Sequence, residues 1–239
     1  MHSFIKGILT LTFIILISTS AYAAPYGHYD LNKIPLITET KSDKEYQMDL
    51  GYLDQIFLDI YKHSFSPLLP KFDSPQDKSR AFRDIQGLII LLNIYIDASP
   101  APDFQMLGRT ALVNHMGYNM GLPDAKKTAE KLYKQMLAIK PDDDHTNFFY
   151  GLFLLNSCQC EKSIEHLKKS VKAGNPSAPL VLASVYVITG DNQQALNTLD
   201  NYLKKKPNDS AAKTMRNNIT SGKTDVTTAS LQNKTCPLS

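Results

Sequence analysis

The amino-acid sequence predicts an all-α protein built as a stack of antiparallel helical hairpins. Three observations carry that prediction. Apolar residues recur at i, i+3, i+4 and i+7 in segment after segment, the period of a helix with one buried face. Small residues recur at nearly constant spacing. Gly117, Gly151 and Ala183 are 34 and 32 residues apart, and Ala129, Ser163 and Ala195 repeat those intervals. Proline and glycine fall in the gaps between the periodic segments, as at Gly190 and Pro207.

The first segment, MHSFIKGILTLTFIILISTSAYAAPYG, has one lysine, Lys6, before an apolar run from Ile8 to Ile17. Ala21-Tyr22-Ala23 then supplies a small-x-small cleavage pattern, so residues 1–23 are expected to be a signal peptide. Ten apolar residues fall short of the ~20 that span a bilayer. Cleavage would leave 216 of the 239 residues, start the mature chain at Ala24, and place it in the periplasm or outside the cell. The full chain carries a formal charge of +3, and losing Lys6 leaves +2. A near-neutral balance makes no electrostatic case for nucleic acid or for an anionic membrane surface. The apolar stretch Ile85 to Ile96 contains Gln86 and Asn93 and is too short and polar to span a bilayer, so no span is expected after cleavage.

Residues 24–102 are expected to form an N-terminal helical region. Its start, Ala24 to Leu50, reads as either a short hairpin, with "KSDK" turning the chain, or an extended arm. Leu53, Ile56, Phe57 and Ile60 then form one helical stripe. "SFSPLLPKFDSP" interrupts it, because proline lacks the amide donor and restricts the residue before it. Ser74-Pro75 opens the next helix with a cap and a proline at the first helical position. That helix presents Phe82, Ile85, Leu88, Ile89, Leu92 and Ile96 until "DASPAPD" ends it.

Residues 103–220 contain three repeating units and a final helix. The third unit, SAPLVLASVYVITGDNQQALNTLDNYLKKKPND, has Leu182, Ala183 and Tyr186 on its first helix and Gly190 at the turn. Ala195, Leu199 and Tyr202 follow on its second helix, and Pro207 ends it. The first unit matches with Gly117, Ala129, Tyr133 and Pro141, and the second with Gly151, Leu154, Ser163, Leu167 and Pro176. Small residues let paired helices approach closely, and larger ones fill the remaining grooves. One such pair cannot bury its apolar face alone, so pairs stack. Asp209 to Thr220 is the expected capping helix, and residues 221–239 are a tail.

These units resemble the tetratricopeptide repeat family, whose pattern is small residue, aromatic, glycine turn, alanine, aromatic and proline. The resemblance runs from about Phe104 to Asp209, with Ser163 in place of alanine and Pro176 one place late. It implies that first helices line a concave groove that holds a peptide or helix of a partner protein. Matched by position, the groove is formed by Asn114 and Tyr118 of the first unit, and by His145, Phe148, Leu152 and Asn156 of the second. Leu180, Ser184 and Val187 complete it from the third. Family members that grip a carboxylate use groove lysines, which the matching places here lack.

"NSCQCEKS" holds Cys158 and Cys160, and the chain has one more cysteine, Cys236. A Cys-x-Cys pair next to a helix fits neither a thioredoxin-type centre nor a closed zinc site with His145 or His166. In an oxidising compartment a disulfide from Cys236 to Cys158 or to Cys160 is the expectation. The acids of "PDDDH" (Pro141 to His145) read as helix capping and not a calcium site. Lys204 to Lys206 read as solvated charges at a helix C-terminus. His28, His63 and His115 stand at no recognisable catalytic spacing, and no phosphate loop, dinucleotide fingerprint or nucleophile elbow is present. The expected function is an adaptor that binds another protein, without a cofactor or catalysis. The alternatives are an all-helical metal-binding protein or enzyme using Cys158, Cys160 and the histidines, and a structural homo-oligomer.

Overall fold

The computed structural model describes residues 25–39, 44–64, 72–99 and 102–223. An extended segment and a short 3₁₀ turn, Leu31–Lys33, lead into an antiparallel hairpin of β1 (Pro35–Glu39) and β2 (Lys44–Met48), with Pro35 opposite Met48. Among the described residues nine helices follow: α1 (Leu50–Ser64), α2 (Pro75–Ala98), α3 (Phe104–Asn119), α4 (Ala125–Ile139), α5 (Asp144–Asn156), α6 (Cys160–Ala173), α7 (Ala178–Ile188), α8 (Asn192–Lys205) and α9 (Ser210–Thr220). The helices make a solenoid of hairpins, with α3/α4, α5/α6 and α7/α8 as its repeating pairs and α9 on the end. Both readings of the N-terminal region hold in part: an extended arm comes first and a hairpin follows.

Several helix starts are built by short acids, and that of α2 by Ser74. The carboxylates of Asp103, Asp143, Asp191 and Asp209 accept the N–H groups of Met106, Thr146, Gln194 and Ala212. Ser74 Oγ accepts from Asp77 N, with Pro75 inside the first turn. Each cap satisfies an amide that the helix itself leaves unpaired. Between first and second helices the chain turns through the left-handed region, at Gly121 (φ 90°), Cys158 (φ 61°) and Gly190 (φ 82°).

The repeating small residues act as the spacing requires. At Gly151 an added Cβ would lie 2.8 Å from Leu167 Cγ, and Ser163 Oγ donates to the Gly151 carbonyl at 2.7 Å. One turn pair away, Ser170 Oγ donates to the Asp144 carbonyl at 2.8 Å. These contacts bring α5 and α6 together along their length. At Gly117 an added Cβ would meet Ile89 of α2 at 2.7 Å and Ala125 of α4 at 3.3 Å, so this position admits neighbours on two sides.

The N-terminal region continues the stack. Helix α2 runs antiparallel to α3, with Ile89 on Gly117 and Asn93 beside Asn114. Helix α1 lies parallel to α3: Arg109 makes two 2.8 Å bonds to the Asp54 carboxylate, and Asn119 Nδ2 reaches the Ser64 carbonyl. The extended arm binds α1 and α2 together. Tyr26, 1% exposed, donates its hydroxyl to Asp84 of α2 at 2.9 Å, and its carbonyl accepts from Arg80. Gly27 N and Tyr29 Oη donate to Asp59 of α1 at 2.9 and 2.7 Å. Leu31 lies where a side chain at position 87 would stand, so Gly87 in mid-helix serves as its seat.

Replacing Gly151 with valine is expected to lower unfolding free energy by about 2–3 kcal/mol, the cost of overpacking a closed helix contact. Urea denaturation followed by circular dichroism measures it.

Candidate functional site

First helices α1, α3, α5 and α7 lie next to one another in that order. The nine residues expected to line a groove there fall into three groups. Asn114 is 1% exposed and lies in the α2–α3 contact, where its Nδ2 donates to the Thr110 carbonyl at 2.8 Å and faces Asn93 at 3.4 Å. Phe148 and Leu152 are buried, at 4% and 7% exposure. His145 is exposed and bonds the neighbouring Asp144 carboxylate at 2.8 Å.

Tyr118 and Asn156, both half-buried, join a polar network between α3 and α5. Tyr118 Oη donates to the Asn156 carbonyl at 3.3 Å. Asn156 Nδ2 donates to His115 Nε2 at 3.1 Å and to Asn119 Oδ1 at 3.2 Å. His115 Nδ1 stands 3.2 Å from Tyr133 Oη. Since Nε2 accepts, the imidazole proton sits on Nδ1 and is donated to the phenol. His115 is fully buried against the rings of Tyr133 and Phe153, and desolvation pushes its pKa down to about 3. Burial likewise pushes the Tyr61 phenol up to about 12 and raises Tyr133 well above its ordinary value, with Tyr61 near enough to add to it. His115 bonds across to α4 and α5, so the network ties α3, α4 and α5 into one unit.

Leu180, Ser184 and Val187 form the third group. They are half-buried at i, i+4 and i+7 along α7, and Ser184 turns its hydroxyl back to the Leu180 carbonyl at 3.0 Å. That pairing leaves an uncharged, half-buried strip along α7.

The residues weighed for chemistry are dispersed. Cys158 is exposed at the α5–α6 turn, and Cys160 is the buried first residue of α6. Cys236 lies outside the described residues, and with it the expected bridge to Cys158 or Cys160. His166 bonds Asn147 Oδ1 at 2.9 Å and packs 4.6 Å from the Tyr150 ring, where burial lowers its pKa. His63 stacks on Phe72 within the arm's binding site, and His28 is exposed. Among the described residues no three His, Cys, Asp or Glu side chains gather where a metal ion could bind. Asp143 of "PDDDH" caps α5, taking both the amide and the hydroxyl of Thr146. Also among the described residues, no helix is long and apolar enough to cross a membrane.

Two features had no counterpart in the sequence reading: the His115 network, and the carboxylates Asp59 and Asp84 that bind the arm. The available signal was an inward-facing His115 with Asn114 and Asn119 beside it in one helix.

No protein-family model matches the chain. Over 126 residues, 53% of this chain, the sequence is 27% identical to human aspartyl/asparaginyl beta-hydroxylase. The match takes in 15% of that protein, far too little to carry its activity across.

The buried His115 makes stability depend on pH. The unfolded histidine takes up a proton near pH 6.5 and the folded one near pH 3, so its contribution is complete above pH 6.5 and lost as pH falls toward 3. Chemical denaturation should show a loss approaching 1.4 kcal/mol per pH unit in that window, and His115→Gln should flatten the slope. At the turn, Cys158→Gly relieves a left-handed conformation. It is expected to add about 1 kcal/mol under reducing conditions, read from the thermal midpoint.

Proposed function

We propose that this protein is an exported interaction scaffold of the tetratricopeptide type, which binds a segment of another protein along its inner face. The observation that carries the proposal is the α7 strip: Leu180, Ser184 and Val187, uncharged, half-buried and spaced to contact one continuous partner. A helix or extended segment with apolar residues at matching intervals fits such a surface. Hairpins that recur at 34 and 32 residues, each with its small residues at the helix contact, support the repeat assignment. The leader-like first 23 residues support export to the periplasm or beyond. On this proposal the protein acts by binding, with no cofactor and no catalysis, and its pathway is that of the partner it holds. Asn114, Phe148 and Leu152 then support the surface from behind, and the contacting set narrows to α7 with His145 at its edge.

A photo-crosslinking residue placed at Ser184 and activated in cells is expected to give one discrete adduct. Val187→Asp should reduce that adduct at least about tenfold, since it puts a charge into an apolar contact. The proposal is wrong if Ser184 gives no adduct, or if a probe at outer position Gln135 gives the same one.

A further inference from the structure

The fold ties many of the acids to particular places. Asp103, Asp143, Asp191 and Asp209 are tied to helix starts, and Asp54, Asp59 and Asp84 join the arm and first three helices. Second helices α4 and α6 are composed otherwise. AKKTAEKLYKQMLAI carries four lysines and one glutamate, and CEKSIEHLKKSVKA four lysines and two glutamates. Eight lysines against three glutamates give these two helices a net charge of +5, more than the +3 of the whole chain.

On each of these helices the exposed lysines lie away from the buried stripe. Ala129, Leu132, Tyr133 and Met136 turn inward from α4, and Ser163, Leu167 and Ser170 from α6. Lys127, Lys131, Lys169 and Lys172 are exposed on the opposite faces. On these helices, among the described residues, an ion pair joins Lys134 to Glu130 at 2.7 Å. A basic face of this kind serves a rigid protein partner poorly. Protein interfaces anchor on arginine and aromatic residues, but neither helix has an arginine and the one aromatic, Tyr133, is buried. Lysines are flexible point charges, and a fluid layer of anionic headgroups can rearrange to meet them. The lack of exposed aromatic rings also removes the stacking by which single-stranded nucleic acid is held.

We propose that the outer face of α4 and α6 docks on an anionic lipid bilayer through charge, without insertion. The array then lies with its back on the membrane and its inner face turned toward a partner. This does not depend on the α7 strip: either surface can fail its test while the other passes.

The test is co-sedimentation of the purified full chain with vesicles of phosphatidylcholine alone or with about 30% phosphatidylglycerol. Binding is expected with the anionic vesicles only, and to be lost between roughly 50 and 300 mM salt. Each lysine at such a surface contributes about fivefold in affinity, so K127E/K131E/K169E/K172E should bind more than tenfold more weakly. Should that variant not fold, replacement of the same four by glutamine decides the question, with an unchanged circular dichroism melt as its control. Three results overturn the proposal. They are equal binding to neutral vesicles, unchanged binding by a folded variant, and retention on duplex DNA without vesicle binding.

Discussion

Across the α5–α6 pair, Gly151 and Ser163 meet with a hydroxyl–carbonyl hydrogen bond of 2.7 Å and no intervening side chain. The rest of the structure depends on that closeness. A short helical hairpin can bury one stripe of each helix against the other, and the stripes left over drive pairs to stack. Where Gly117 allows the same approach, it receives α2 on one side and α4 on the other, so a single position without a side chain joins two units. The serine at position 163 keeps the separation that alanine would give and adds a hydrogen bond. In a buried helix contact that satisfies the hydroxyl it brings.

Between the units the packing is not purely apolar. His115, Asn119, Asn156 and Tyr133 connect three neighbouring helices through directional bonds, and Tyr118 closes on the Asn156 backbone. Such a network holds the relative rotation of adjacent hairpins more narrowly than side-chain packing alone, because each partner lost leaves a buried polar group unpaired. The neutrality of His115 follows from its burial, since desolvation disfavours a charged imidazole there. At the N-terminal end the arm does comparable work. Tyr26 and Tyr29 bring their hydroxyls to Asp84 and Asp59, so two helices that a single chain segment bridges are held by carboxylates accepting from that segment.

Local features were legible in the sequence because they depend on neighbours in the chain. The capping acids of "PDDDH" and the Ser74-Pro75 start each involve residues within a few positions of one another. The candidate groove was legible only in part. Periodicity marks which stripe of α3 is apolar, but not that α2 would cover Asn114, a matter of a partner 21 residues away. Tyr26 and Asp84 are 58 residues apart, joined by no pattern that a sequence displays. Charge followed the same rule. A near-neutral total says nothing of where the lysines stand once many of the acids are taken into caps and helix junctions.

By itself, then, the sequence determined the helices, their pairing, and the closeness of each pair, since propensity, capping and small-residue spacing all act over short stretches of chain. Tertiary structure alone decided which faces stay open. It buried Asn114, Phe148 and Leu152, left the α7 strip accessible, drew His115 into a closed network and gathered lysines on the outer helices. The physical reason is that exposure belongs to what lies opposite a residue. In a stack of hairpins that neighbour comes from another unit, at a distance along the chain that no local pattern records.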